Sequence, residues 1–226
     1  DLVVEHVTVM SAETVAEKLL RHRIDAVLLP PPLCEDPALL EDLLRRDMPV
    51  MQLATGRPYS GAHSISIDDR AAASALTRRL IDLGHRRIGF IGGDPNQSAS
   101  DLRRRGYEQA LEEAGLPVLA ELIAEGDYTY CSGFAAAERL LALPEPPSAI
   151  FASNDDMAAA VLAVASRSKI AVPESLSVCG FDDTIMATNV WPELTTIRQP
   201  VADMSRESIY RLVDVVRHSR NAAQHL

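Results

Sequence analysis

The chain has 226 residues, 47 % of them apolar but only 4 % aromatic, with 32 acidic against 22 basic side chains and a formal net charge of -10. A chain of this length can bury roughly 70 % of its unfolded surface, and with so few rings its core must be aliphatic, which suits parallel strands covered on both faces by helices. The acidic balance makes these residues a poor grip for nucleic acid, and no apolar run reaches the roughly 20 residues of a membrane span. Three cysteines, Cys34, Cys131 and Cys179, lack C-x-x-C spacing and read as reduced thiols without a metal or disulfide role.

In chain order, a short apolar run at 2–7 precedes a helical pattern at 11–22, with Val15, Leu19 and Leu20 near helical spacing. A buried strand at 25–29 stops at Pro30, Pro31 and Pro32. Strand, helix, strand implies parallel pairing. Asp36 then caps a helix with Pro37 at its first position and an apolar stripe of Leu39, Leu40, Leu43 and Leu44. A strand at 49–53, a glycine- and proline-bearing loop at 54–63 and a short edge strand at 64–67 follow. Asp68-Asp69 starts an alanine- and leucine-rich helix that ends at Gly84.

The strand at 87–91 runs into Gly92-Gly93, a tight turn rather than a dinucleotide fingerprint, which needs G-x-G-x-x-G leading straight into a helix. A basic helix at 98–115 carries Arg103, Arg104 and Arg105. A weak strand at 120–123 and a helix at 132–143 come next. Two strands then bracket an alanine-rich helix within 148–183, one ending in Asn154-Asp155-Asp156 and the other in Asp182-Asp183. A short helix at 184–190, a strand at 195–198 and a long helix from Val201 to about 218 complete the pattern. Two halves of alternating strand and helix emerge, residues 1–85 plus 199–226 and residues 86–198. The fold class is α/β, two Rossmann-like lobes with parallel sheets.

Catalytic signatures are missing. There is no G-x-S-x-G, no H-E-x-x-H and no phosphate-binding G-x-x-x-x-G-K-[ST], and the six histidines show no metal-ligand spacing. The carboxylate pairs Asp155-Asp156 and Asp182-Asp183 admit a cation, acid–base work or helix capping. A binding reading uses more of the chain. Asp182, Asn154, Arg103 and Tyr128 offer acceptors, a planar guanidinium donor and an aromatic face, all at or just after the carboxyl ends of strands, where open parallel sheets bind ligands.

Six segments occur together and in order: L-G-H-R-R-I-G-F-I-G-G (83–93), S-D-L-R-R-R-G-Y (100–107), E-G-D-Y (125–128), A-I-F-A-S-N-D (149–155), V-P-E-S-L-S-V-C-G-F-D-D (172–183) and L-T-T-I-R-Q-P (194–200). In that order and spacing the chain resembles the effector-binding core of the LacI/GalR family of bacterial transcription regulators. The resemblance implies a fold like type I periplasmic binding proteins, two lobes joined by three crossovers with a small polar, sugar-like effector between them. It also implies a cytoplasmic homodimer without cofactor, catalysis or membrane contact, which reaches operator DNA through a separate helix-turn-helix. Carried over by position, the effector contacts are Arg103, Tyr128, Asn154 and Asp182, with Asp68 and Gln199 as weaker effector or lobe-interface candidates.

The chain departs from the family pattern at both ends. The helix-turn-helix, the first strand and helix of the core and a closing strand are expected outside it, so it reads as part of a longer protein. A periplasmic or secreted solute-binding protein of the same fold, and an NAD-dependent or hydrolytic enzyme, are the competing readings.

Overall fold

The computed structural model describes residues 3, 4 and 12–224, and the chain divides into two compact units, Asp1–Ser66 with Pro200–Leu226 and Ile67–Gln199. The expected run at 2–7 lies largely outside the described residues. The first unit holds α1 (Ala12–Arg21), β1 (Val27–Leu29), α2 (Pro37–Arg45), β2 (Val50–Leu53) and β3 (His63–Ile65). Its three strands pair in parallel in the order β1-β2-β3. Asp36 caps α2 as expected, its Oδ1 accepting from Ala38 N at 2.9 Å and Leu39 N at 3.2 Å, with Pro37 where a missing N–H costs nothing. Leu39, Leu40 and Leu43 thereby face Val27, Leu29 and Val50 in one core. The long α8 (Val201–Gln224) packs across all three strands, burying Met204 and Leu212.

The second unit is a four-stranded parallel sheet in the order β5-β4-β6-β7: β4 (Ile88–Ile91), β5 (Ile123–Ala124), β6 (Ala149–Ala152) and β7 (Ser177–Cys179). Every residue of β4 and β6 is buried, and alternation sorts their side chains to opposite faces. Ile88, Phe90, Ala149 and Phe151 pack under α3 (Asp69–Asp82) and α4 (Ser98–Glu113). Ile91, Ile150 and Ala152 pack under α5 (Tyr130–Leu141) and α6 (Asp155–Arg167). Phe90 stacks on Tyr107 at 5.0 Å between centroids and meets Phe151 edge-on at 5.3 Å, and with Phe181 three of the four phenylalanines serve this one core.

Three expectations need correction. The division falls at Ser66/Ile67 rather than at 85/86, because α3 packs against α4. The close approach is enabled by Gly106, where a Cβ would lie 2.2 Å from Arg70 O. Residues 120–122 wind into a single 3-10 turn, leaving β5 two residues long. Residues 195–198 form no strand, only parallel bridges from Thr195 to Cys179 and from Arg198 to Asp182. Among the described residues the chain passes between the units twice; a third crossover is not among them.

Candidate functional site

The connection leaving β4 goes to β5 on one side of the sheet, and the next returns to β6 on the other. The carboxyl ends of β4 and β6 therefore flank the point where strand order reverses, the position at which open parallel sheets bind ligands. Arg103 occupies it. The residue sits in the second turn of α4 and is 5 % exposed. Its Nε donates to Asp69 Oδ1 at 2.8 Å, and its Nη1 donates to the carbonyl of Ser153, just beyond β6, at 2.5 Å. The guanidinium lies 3.7 Å from the Phe181 ring centroid and 5.9 Å from that of Tyr128, so its planar face is covered as well as its edge.

Asp182 faces the same cation, its Oδ1 3.6 Å from Arg103 Nη1. It follows β7 in the loop after Phe181 and adopts φ 111°, a left-handed conformation that an L-aspartate enters only at a cost. Gln199 Nε2 donates to Asp182 Oδ1 at 2.6 Å. Burial nonetheless dominates: the Asp182 carboxyl is pushed up to about 6, although Arg103 and Gln199 both pull it down. Tyr128 also has a positive φ, 68°, and its ring lies flat on the glycine turn after β4, where a Cβ on Gly93 would sit 2.0 Å from Tyr128 Cζ. Its phenol is pushed up to about 12 by burial. Among the described residues, the buried hydroxyls of Tyr128 and Ser153 have no hydrogen-bond partner. Such groups are costly unless something polar meets them.

The structure thus brings Arg103, Tyr128, Asp182 and Gln199 together in one unit. Asn154 joins them in a supporting position. Its Oδ1 caps α6 by accepting from Met157 N at 2.9 Å, while its Nδ2 donates to the Tyr128 carbonyl at 2.8 Å and so holds that strained residue. Asp68 is placed elsewhere: it is exposed and caps α3 through Ala71 N at 2.9 Å. Its neighbour Asp69, one helical step on and 3 % exposed, makes the contact with Arg103. Sequence reasoning also passed over Ser153 and Phe181. Phe181 stood in the quoted G-F-D-D segment, and its place directly before Asp182 was the available signal.

The remaining carboxylates divide. Asp183 pairs with Arg198. Asp155, expected to be a cap, is 1 % exposed and instead accepts from Thr184 and Thr196. No group of histidine, cysteine or acidic side chains suited to a metal occurs among the described residues, and no helix there is long and apolar enough to cross a membrane. All three cysteines are free, and burial pushes the Cys34 and Cys179 thiols up to about 12.

Residues 77–226 match the family described as the periplasmic binding protein-like domain. The chain is 39 % identical over 166 residues to catabolite control protein A of Priestia megaterium, covering 73 % of this chain and 50 % of that protein. It is 36 % identical over 203 residues to the HTH-type transcriptional repressor CytR of Escherichia coli (strain K12), covering 89 % of this chain and 59 % of the repressor. The chain thus spans about half the length of the curated relatives it matches. Among solved structures it is similar to the transcriptional regulator CelR in complex with cellobiose, with a TM-score of 0.85 and 34 % identity over 92 % of this chain and 64 % of that one. The Escherichia coli repressor ascG gives a TM-score of 0.79 and 32 % identity over 92 % of this chain and 78 % of the repressor.

Proposed function

The chain belongs to the LacI/GalR family of transcriptional regulators, as the portion carrying their periplasmic binding protein-like domain, and from that membership we propose that it senses a small polar effector, a sugar or sugar derivative, and thereby adjusts operator binding. The effector is bound by Arg103, Asp182 and Tyr128, with Asn154 holding Tyr128 and Gln199 holding Asp182. Operator DNA is contacted by a helix-turn-helix outside these residues, the regulator works as a homodimer in the cytoplasm, and no covalent chemistry is done on the effector. The matched relatives carry the names of regulators and repressors, not of solute carriers or enzymes.

The observation that carries the reading is Asp182. A carboxylate kept half-buried, in a left-handed backbone conformation and with its proton affinity raised, is an expensive arrangement at the carboxyl end of a strand. Strain and perturbed titration together mark functional positions more often than structural ones. Across from it stand a planar donor and an aromatic face, the set that recognises a polyhydroxyl ring. An effector that binds two conformations equally shifts neither, so regulation requires contacts of this kind to differ between states.

The test is a thermal-shift screen of sugars, nucleobases and small acids, beginning with cellobiose because that sugar is bound in the CelR complex. At about one hundred times its dissociation constant a ligand adds roughly 2.7 kcal/mol to native stability, a shift that is easily read. A sugar that raises the melting temperature is the expected result. A rise produced only by nucleobases or acids would overturn the sugar assignment.

A further inference from the structure

Asp155 opens α6 but turns its carboxylate away from that helix. Oδ2 accepts from Thr184 N at 2.7 Å and from Thr184 Oγ1 at 3.1 Å, and Oδ1 accepts from Thr196 Oγ1 at 2.6 Å. An ionised carboxylate only accepts, so both hydroxyl protons are committed to it. Thr196 Oγ1 then has lone pairs to offer, and one takes the Asp183 N–H at 3.3 Å. A relay runs from Asp155 through Thr196 to Asp183, while Thr184 is held directly. The carboxylate also lies against the loop backbone itself, since a Cβ on Gly180 would come within 2.3 Å of Asp155 Oδ1.

Between those anchors stand Asp182 and Asp183, consecutive aspartates at φ 111° and 57°. Backbone of this kind costs on the order of 1–3 kcal/mol per residue and persists only where the surroundings over-determine it. The backbone bond from Asp182 N to Ile197 O at 2.8 Å anchors the loop to the 195–198 segment. It does not choose the direction of the Asp182 side chain. The bonds to Asp155 supply the missing constraint, because they hold the loop on the side of the α6 N-terminus.

We propose that Asp155 is a positioning residue for effector binding: acting through Thr184 and Thr196, it holds residues 180–184 in the strained form that turns Asp182 toward Arg103. This rests on the reading of Asp182 as an effector contact. The groups that bear on Asp182 are Arg103 on α4, Asp69 on α3, Asp155 on α6 and Gln199 beyond the bridged segment, with burial the largest influence and upward. Thr196→Val removes the relay without altering any of those charges. Asp155→Asn would also delete a negative charge that itself raises Asp182, so it is the poorer variant.

The readout is carboxyl 13C NMR on the full chain labelled at aspartate, with Asp182 assigned through Asp182→Asn. The midpoint should lie near 6 in the native chain and in Thr196→Ser, which keeps the hydroxyl. In Thr196→Val it should fall toward the ordinary aspartate range as the loop relaxes into water. A native midpoint in folded Thr196→Val overturns the proposal. Should that variant fail to fold, amide exchange in the native chain decides: protected Asp183 and Thr184 N–H groups are expected, and unprotected ones overturn the clamp. Calorimetry with the sugar found in the screen is the second arm. Thr196→Val should weaken binding roughly tenfold, the size of one misplaced hydrogen bond to a charged group, and Thr196→Ser should not. A lowered midpoint with unchanged sugar affinity would overturn the positioning role by removing Asp182 from the effector site, a failure of that reading rather than of the clamp.

Discussion

Asp182 holds its proton up to about pH 6 because burial outweighs the pull of Arg103 and the hydrogen bond from Gln199. Its ordinary value is 3.8, so between the two pKa values the native chain binds more protons here than the unfolded chain does. The stability this group contributes is therefore full below the lower value and is lost as pH rises through the upper one, by at most about 1.4 kcal/mol per pH unit. Melting temperatures of the native chain and of Asp182→Asn, compared from about pH 4 to pH 7, check this. The native curve should fall relative to the variant as pH rises; parallel curves would contradict the raised value. Arg103 shows how far a single residue is legible. The segment S-x-x-R-x-x-G-Y singles it out as an effector contact, and the structure places it buried against Phe181. Asp68 stands in the sequence as a weaker effector or lobe-interface candidate, yet it is its neighbour Asp69 that pairs with Arg103, and adjacent acidic residues at a helix start look alike on paper. One step of about 100° around the helix turns Asp69 inward and leaves Asp68 to cap, a distinction set by packing against α4.

At the scale of elements, α3 and α4 touch because Gly106 lets backbone approach backbone. A methyl group there would meet Arg70 O at 2.2 Å and Ala73 Cβ at 2.9 Å, neither of which is a flexible chain end. Gly106→Ala should cost about 1–3 kcal/mol, the range for overpacking a well-filled interior, with the helices forced apart. Denaturant unfolding measures it, and a midpoint unchanged from the native chain would contradict the close contact. The separation would also displace Asp69 from Arg103, since one residue stands on each helix. Strands and helices with strong periodicity were legible throughout: the leucine stripe of α2, its Asp36 cap and the all-apolar β4 and β6 form where the pattern places them. Weakly patterned segments were not. Residues 120–122 form a 3-10 turn where a strand is expected, and residues 195–198 make only single bridges, Thr195 to Cys179 at the end of β7 and Arg198 to Asp182 beyond it. Pairing partners decide such cases, and a sequence does not display them.

At the scale of the whole chain, every residue assigned to the effector belongs to the unit Ile67–Gln199. The ordered set of six short segments made the family recognisable, although each alone is weak, and the matched family and relatives agree with it. What the segments left open was the division of labour within the site. Arg103 is both candidate contact and structural bolt, and its removal would break the buried ion pair with Asp69 at a cost of about 3–5 kcal/mol. A binding loss in Arg103→Ala would therefore be confounded with loss of the fold. Asp182, half-buried and in contact with Arg103 only at 3.6 Å, can be neutralised with far less damage. Titration calorimetry of Asp182→Asn against the native chain, with the sugar that gives the largest thermal shift, is consequently the most direct measurement. Removing a charged hydrogen-bond partner is worth about 1.5–3 kcal/mol, so affinity should fall roughly 10- to 150-fold while the variant stays folded. Unchanged affinity in a folded Asp182→Asn would contradict the assignment of the effector to this wall.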